Sequence, residues 1–374
     1  MRVAVTGGGT AGHVYPALAV IQALAKVQKT GDAQSPFERD VDILFIGSKQ
    51  SMEAQLVAKA QLPFAGISAG GLRGMGRAQQ LRHAMSLVRG VMESWSILRK
   101  FRPHVLLATG GYVSAPAVLA ARLRRTPTVI YLPDIVPGLA VRVLAPLATN
   151  VAVTAQRTAR LFGNKGIATG YPVRKELREV DRAEARRRFG FRPDLPLLLV
   201  FGGSRGAHSI NVAVAGNLPT LISRAQLLHV CGQADYAWLQ ECRNTLPDPL
   251  AARYRVEPYL HEDMAGALVA ADLAISRAGA SVLGELPAAR LPAILVPYPH
   301  AGRHQEQNAR YLTESGAAVM IDDTELARQL SPVVTELLAN EARRKRMRQR
   351  LHDMDRPDAA QRIAGLLCEL VKTK

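Results

Sequence analysis

Cysteine is nearly absent from the 374 residues: Cys231, Cys242 and Cys368 are the only three, too few and too irregularly spaced for a disulfide framework or a zinc ribbon. That poverty points to a reducing, cytoplasmic setting. Long apolar runs are missing too. The most apolar stretch, Val105 to Ala121, is broken by Gly110, Gly111 and Pro116 and falls short of the roughly 20 apolar residues that cross a bilayer. The N-terminus enters a strand pattern at Arg2-Val3 with no charged leader, apolar h-region or small-residue cleavage site, so no secretory signal is expected. No low-complexity tract occurs. With hydrophobic residues at 48% and charged residues at 21%, disordered and fibrous classes are excluded.

Acidic residues are scarce beside basic ones, 31 against 48, which leaves a net charge of +17. Such an excess implies an anionic partner: nucleic acid, a phosphorylated substrate or an acidic membrane surface. One cluster, Arg73, Arg77, Arg82, Arg89, Arg99, Lys100 and Arg102, is interleaved with apolar residues from Leu72 to Leu98. It reads either as a basic amphipathic helix lying on anionic lipid or as a surface helix packing its apolar face on its own domain. A second run, Arg343-Arg344-Lys345-Arg346, reads as a solvated helix face. No helix-turn-helix, zinc finger or aromatic RNA-binding signature accompanies the charge, so nucleic acid is not an expected partner.

The length exceeds what one hydrophobic core organises, and two domains are the default. Short apolar runs alternate with helical patterns: Val3–Thr6, Asp42–Ile46, Val105–Ala108, Thr128–Tyr131 and Asn150–Val153, then Leu197–Phe201, Leu227–Val230, Tyr254–Glu257, Leu273–Ile275, Ala293–Val296 and Ala318–Ile321. That alternation predicts an α/β protein of two doubly wound, Rossmann-like parallel-sheet domains. Glycines and Pro172 in Phe162–Arg174 set the expected boundary, giving domains 1–165 and 166–354. The last helix, within 355–374, is free to pack back on the first domain.

Three strand-to-helix turns are glycine-rich: Thr6-Gly7-Gly8-Gly9-Thr10-Ala11-Gly12-His13, Thr109-Gly110-Gly111-Tyr112 and Phe201-Gly202-Gly203-Ser204-Arg205-Gly206. Without Cβ atoms, such turns let backbone N–H groups approach an anion at a helix N-terminus. Placed at one sheet edge, three of them suit a diphosphate. None shows G-x-G-x-x-G followed by a ribose-binding acid, so no nicotinamide or flavin cofactor is expected. None is a P-loop. Histidines 83, 104, 208, 229, 261 and 352 have no metal-ligand spacing.

These turns, together with Gly170-Tyr171-Pro172-Val173-Arg174 and the stretch from Gly279-Ala280 through Glu285 to Gln305 and Asn308, resemble the ordered motifs of the MurG family, transferases that complete the lipid-linked peptidoglycan precursor. The likeness spans nearly the whole chain. It implies a GT-B fold with a cleft between the domains, an inverting mechanism without metal or other cofactor, and peripheral attachment to the cytoplasmic side of the cell membrane. It implies transfer of N-acetylglucosamine from UDP-N-acetylglucosamine to the 4-hydroxyl of a polyprenyl-diphosphate-linked muramyl-pentapeptide; a relative of the same fold with a different acceptor is the alternative.

Residue by residue, the likeness sets Glu285 on the ribose hydroxyls, a task that suits a two-oxygen acceptor. Arg174 and Ser204 fall to the diphosphate, His304 and Gln305 to the donor sugar, and Leu260 to the uracil. Thr10, Ala11 and Gly12 belong to the first turn beside the donor, and Gly110, Gly111 and Tyr112 lie on the acceptor side. His13 would take the proton of the acceptor hydroxyl, or bind phosphate when charged. Simpler readings remain: Glu285 as a surface acid, Arg174 as solvated, His13 as a helix cap. One departure stands out. Where the family carries His-Glu-Gln-Asn, this chain has Tyr131-Leu132-Pro133-Asp134, so Asp134 either assists His13 as a base or marks a different acceptor.

Overall fold

The computed structural model describes residues 1–9, 11–29, 41–49, 51–69, 77–203, 206–260, 263–299 and 303–372. The chain divides into two compact units, Met1–Val173 with Arg356–Lys374, and Arg174–Asp355.

Among the described residues the first unit holds seven strands: β1 (Arg2–Thr6), β2 (Asp42–Ser48), β3 (Phe64–Ile67), β4 (Val105–Ala108), β5 (Thr128–Leu132), β6 (Asn150–Val153) and β7 (Gly166–Ala168). They form one parallel sheet in the order β3-β2-β1-β4-β5-β6-β7. Both faces are covered, so its strands read as continuous apolar runs rather than as alternating ones. Successive side chains enter opposite layers. Val3, Val5, Val105, Leu107, Val129 and Tyr131 pack on one side, and Ala4, Leu106, Ala108, Ile130 and Leu132 on the other.

The first layer is capped by helix Ala11–Lys29 and by the C-terminal helix Ala359–Lys372, whose Ile363 and Leu367 are fully buried beside Val20 and Leu24. Burying each such side chain is worth about 1.5–3 kcal/mol, enough to tie the C-terminus to this unit. The division of the chain falls at Val173/Arg174, later than the 165/166 boundary read from sequence, because β7 pairs with β6 and completes the first sheet.

The second unit, again among described residues, has β8 (Leu197–Phe201), β9 (Gln226–Val230), β10 (Tyr254–Glu257), β11 (Leu273–Ser276), β12 (Ala293–Leu295) and β13 (Ala318–Met320). They form a parallel sheet ordered β10-β9-β8-β11-β12-β13. Helix His208–Gly216 lays Ile210 and Val214 on Leu198 and Val200. In each sheet the strand order reverses once, between β1 and β4 and between β8 and β11. Open α/β sheets bind ligands beyond the carboxyl ends of their strands at that reversal.

Candidate functional site

In the first unit the paired register of Thr6 with Ala108 releases two glycine turns side by side. The third turn, after β8, belongs to the other sheet, so the expectation of three turns at one edge is wrong: two share an edge and one stands at the reversal of the second sheet. The first turn also departs from an anion cradle. Gly8 N–H goes to the Gly110 carbonyl at 3.3 Å, and Gly9 N–H to Glu53 Oε2 at 3.3 Å.

Close packing explains these glycines. A Cβ on Gly7 would lie 2.0 Å from Thr109 Oγ1, and one on Gly111 2.1 Å from the Gly8 carbonyl oxygen. Gly110, at φ +104°, leaves room for the His13 ring, whose Nδ1 would be 2.8 Å from a Cβ there. Tyr112 packs its ring edge against Gly9, and the Tyr171 hydroxyl donates to the Gly12 carbonyl at 3.4 Å. Ala11 opens the helix that carries His13. Thr10 lies outside the described residues.

His13 Nδ1 lies 2.9 Å from the carbonyl oxygen of Thr109. A carbonyl has no proton to give, so Nδ1 carries the hydrogen and the neutral ring presents Nε2 as its acceptor. Burial lowers the pKa of His13; the charge of Asp134, the Thr109 carbonyl and the charge of Glu53 oppose that shift. The structure therefore brings His13 and Asp134 into electrostatic contact. Tyr131, in the altered segment, is a core residue: its hydroxyl pairs with Thr154 Oγ1 at 3.0 Å and donates to the Gly170 carbonyl at 3.3 Å, and burial pushes its pKa up.

In the second unit Phe201 and Ser276 pair in register, so the turn at Gly202-Gly203 and the turn at Arg277-Ala278-Gly279 leave neighbouring strands together. Gly203 has φ +85°, and a Cβ on Gly203 or Gly279 would meet nothing within 4 Å. Arg277 ties the rim together. Its guanidinium donates to Asp323, to Ser209 Oγ at 2.7 Å and to the Val296 carbonyl at 3.3 Å, and it lies over the Tyr298 ring at 5.3 Å.

Glu285, in helix Val282–Ala289, faces Arg174 with Nη2 and Oε1 3.8 Å apart. Burial raises the pKa of Glu285, while Arg174 and Ser281 pull it back. Gln305 accepts the Tyr298 N–H at 3.0 Å through Oε1, which leaves its amino end to serve as a donor. His304 opens helix His304–Glu314, and its Nδ1 is buried with no hydrogen-bond partner among the described residues. Asn308 donates to the Ala278 carbonyl at 3.1 Å, and the buried Leu260 accepts from Met264 N–H at 2.9 Å. Ser204 lies outside the described residues. Sequence reasoning missed Glu53, Thr109 and Arg277; a lone acid in a helical pattern and a backbone carbonyl carry no motif.

Helix Arg77–Phe101 has two faces. Gly90, Ser94 and Leu98 are buried, whereas Met85 and Met92 are 65% and 62% exposed. Trp95, also exposed, has Arg99 and Arg124 over its ring at 5.5 and 5.8 Å, and Leu123, next to Arg124 in the chain, is exposed too. The side chains of Arg77 and Arg82, and the residues Leu72 to Gly76, lie outside the description. No described helix is long and apolar enough to cross a membrane.

Comparison with known proteins gives the family. The glycosyltransferase family 28 N-terminal domain matches residues 3–153 and the C-terminal domain residues 197–363. A Roseiflexus sp. protein named UDP-N-acetylglucosamine–N-acetylmuramyl-(pentapeptide) pyrophosphoryl-undecaprenol N-acetylglucosamine transferase is 42% identical over 99% of this chain and 95% of its own. Its namesake from Moorella thermoacetica is 40% identical over the whole of both chains. Among solved structures, MurG of Acinetobacter baumannii superposes with a TM-score of 0.71 at 27% identity, covering 98% of this chain and 99% of its own.

Proposed function

The chain belongs to the MurG family within glycosyltransferase family 28, with the GT-B fold, and on that premise we propose that it transfers N-acetylglucosamine from UDP-N-acetylglucosamine to the 4-hydroxyl of a polyprenyl-diphosphate-linked muramyl-pentapeptide. The observation that carries this reading is the set of polar groups at the two strand-order reversals, a histidine with a fixed tautomer in one unit and the Glu285–Arg174 pair in the other, in a chain so similar along its length to enzymes of that name.

The second unit binds the donor. Glu285 accepts from both ribose hydroxyls, and Arg174 is drawn to the diphosphate by charge. Helix His208–Gly216, entered from the glycine turn, presents its N-terminus to the same anion. Gln305 and His304 meet the hydroxyls of the sugar. The first unit binds the acceptor. Neutral His13 takes the hydroxyl proton on Nε2, the oxygen forms the new bond to the anomeric carbon with inversion, and the electron pair of the broken bond leaves on UDP. Asp134 stabilises the imidazolium so formed. No protein carbonyl or carboxylate needs to change partner during that step.

The lipid-linked acceptor sits at a membrane, and the exposed Met85, Met92, Trp95 and Leu123 with Arg99 and Arg124 form the surface that rests on it, apolar groups inserted and guanidinium groups on anionic headgroups. The side it occupies is the cytoplasmic one. Release of UDP that appears only when the lipid-linked acceptor is added tests the proposed reaction; UDP release indifferent to acceptor contradicts it.

A further inference from the structure

Glu53 sits on the first turn of helix Met52–Lys59 and is fully buried. Its two carboxylate oxygens accept from two different segments, the Gly9 N–H of the turn after β1 at 3.3 Å and the Ser48 N–H at the end of β2 at 3.2 Å. A Cβ on Gly8 would lie 2.4 Å from Oε1, and one on Gly47 3.0 Å from Cγ, so the carboxylate lies directly beneath the glycine turn and against the end of β2. Burying a carboxylate is costly unless it is hydrogen-bonded, and these two amides supply the bonds. Lys49, the cation that follows β2, is 3.6 Å from Glu93.

A carboxylate behind a glycine turn repels an anion in front of it. With Gly8 N–H spent on Gly110 and Gly9 N–H on Glu53, the turn is built to seat the helix that begins at Ala11 and carries His13 two residues in. We infer that Glu53 is a positioning residue for transfer: it clamps the turn that aims His13 and adds a second negative charge, after Asp134, that favours the imidazolium formed when His13 takes the acceptor proton. This rests on the reading of His13 as the base. The titratable groups facing His13 are Asp134 from the segment after β5 and Glu53 from its helix, with the phenols of Tyr112 beside Gly9 and Tyr171 on the Gly12 carbonyl.

The test is the titration of the His13 ring by NMR in the full-length protein, assigned with a His13→Asn variant, alongside steady-state transfer. In Glu53→Gln the shape is kept, one amide loses its acceptor and the charge is gone. The His13 midpoint should fall by about half a pH unit or more, and kcat by about 10–100-fold, with KM for UDP-N-acetylglucosamine unchanged. Glu53→Asp keeps the charge at a shorter reach, so it should shift the midpoint less than Gln and recover part of kcat.

A folded Glu53→Gln whose His13 midpoint does not move overturns the proposal. Should that variant not fold, an Asp variant with unchanged kcat overturns it equally. The titration needs no turnover. A shifted midpoint beside a fully active His13→Ala would therefore retire the base assignment and leave the coupling of Glu53 to His13 standing, whereas an unshifted midpoint beside an inactive His13→Ala retires the role of Glu53 alone.

Discussion

His13 and Thr109 hold each other twice: Nδ1 of the ring donates to the Thr109 carbonyl at 2.9 Å, and the Thr109 hydroxyl returns a hydrogen bond to the His13 carbonyl at 2.7 Å. His13 lies in the first turn of helix Ala11–Lys29 and Thr109 directly follows β4, so the orientation of the imidazole is set by the neighbouring strand. That fixes both the tautomer and the direction of Nε2, the two properties a general base needs.

From this pairing follows a pH dependence. His13 works neutral, and burial places its pKa below the ordinary 6.5, so kcat/KM should rise with pH through an acid limb below that value and be level at neutrality. Asp134→Asn removes the charge that most opposes the shift, and the limb should move further down while most activity at neutral pH is kept. His13→Ala should lose about 10²–10⁴-fold with UDP affinity nearly intact. Collapse in Asp134→Asn with full activity in His13→Ala would make Asp134 the base.

UDP affinity should depend on Glu285. Its replacement by Ala removes two charge-assisted hydrogen bonds, a loss of about 2–4 kcal/mol together, measurable by titration calorimetry. The acceptor form is the carboxylate, whose pKa burial raises. Affinity should therefore fall as the solution is acidified through that raised pKa, and the fall should vanish in Glu285→Gln. Wild-type affinity in Glu285→Ala would move the donor elsewhere.

Much of this architecture was legible in the chain, and the gaps have physical causes. Runs such as Val105–Ala108 and Leu197–Phe201 announced themselves because a strand buried on both faces is apolar throughout. The edge strands Phe64–Ile67 and Gly166–Ala168 did not, since each pairs on one side only and is built partly of glycine and alanine. Sheet membership is not written in a turn, which is why the glycines after β8 were assigned to the wrong edge. His13 and Asp134 stood out through the family likeness. The Thr109 carbonyl is backbone, and Glu53 looked like any acid in a helix's first turn, so neither could be found before the turn that lies over them was seen.

Backbone geometry gives a stability prediction. Gly110 has φ +104°, and a Cβ there would lie 2.8 Å from His13 Nδ1. Gly110→Ala should cost about 1–3 kcal/mol in chemical unfolding and lower transfer by displacing the ring. Gly163→Ala, where a Cβ meets nothing within 4 Å, should leave transfer untouched. Equal losses of activity in the two variants would detach Gly110 from the site.

Attachment to lipid should draw on both halves of the exposed surface. Changing Arg99 and Arg124 to Gln should weaken flotation with anionic vesicles by about 2 kcal/mol, near 1 kcal/mol for each charge, and less at high salt. Met85→Ser with Met92→Ser should weaken it at every salt concentration. Flotation indifferent to all four changes would return the helix to packing alone.

The most direct measurement is mass analysis of the lipid product after incubation with UDP-N-acetylglucosamine and vesicle-borne polyprenyl-diphosphate muramyl-pentapeptide, run in parallel on the wild-type protein and on His13→Ala. The account predicts that the wild-type protein adds one N-acetylhexosamine to the muramyl sugar, with UDP released in equal amount, and that His13→Ala forms the same product far more slowly. A wild-type protein that binds UDP yet leaves this lipid unmodified would contradict it.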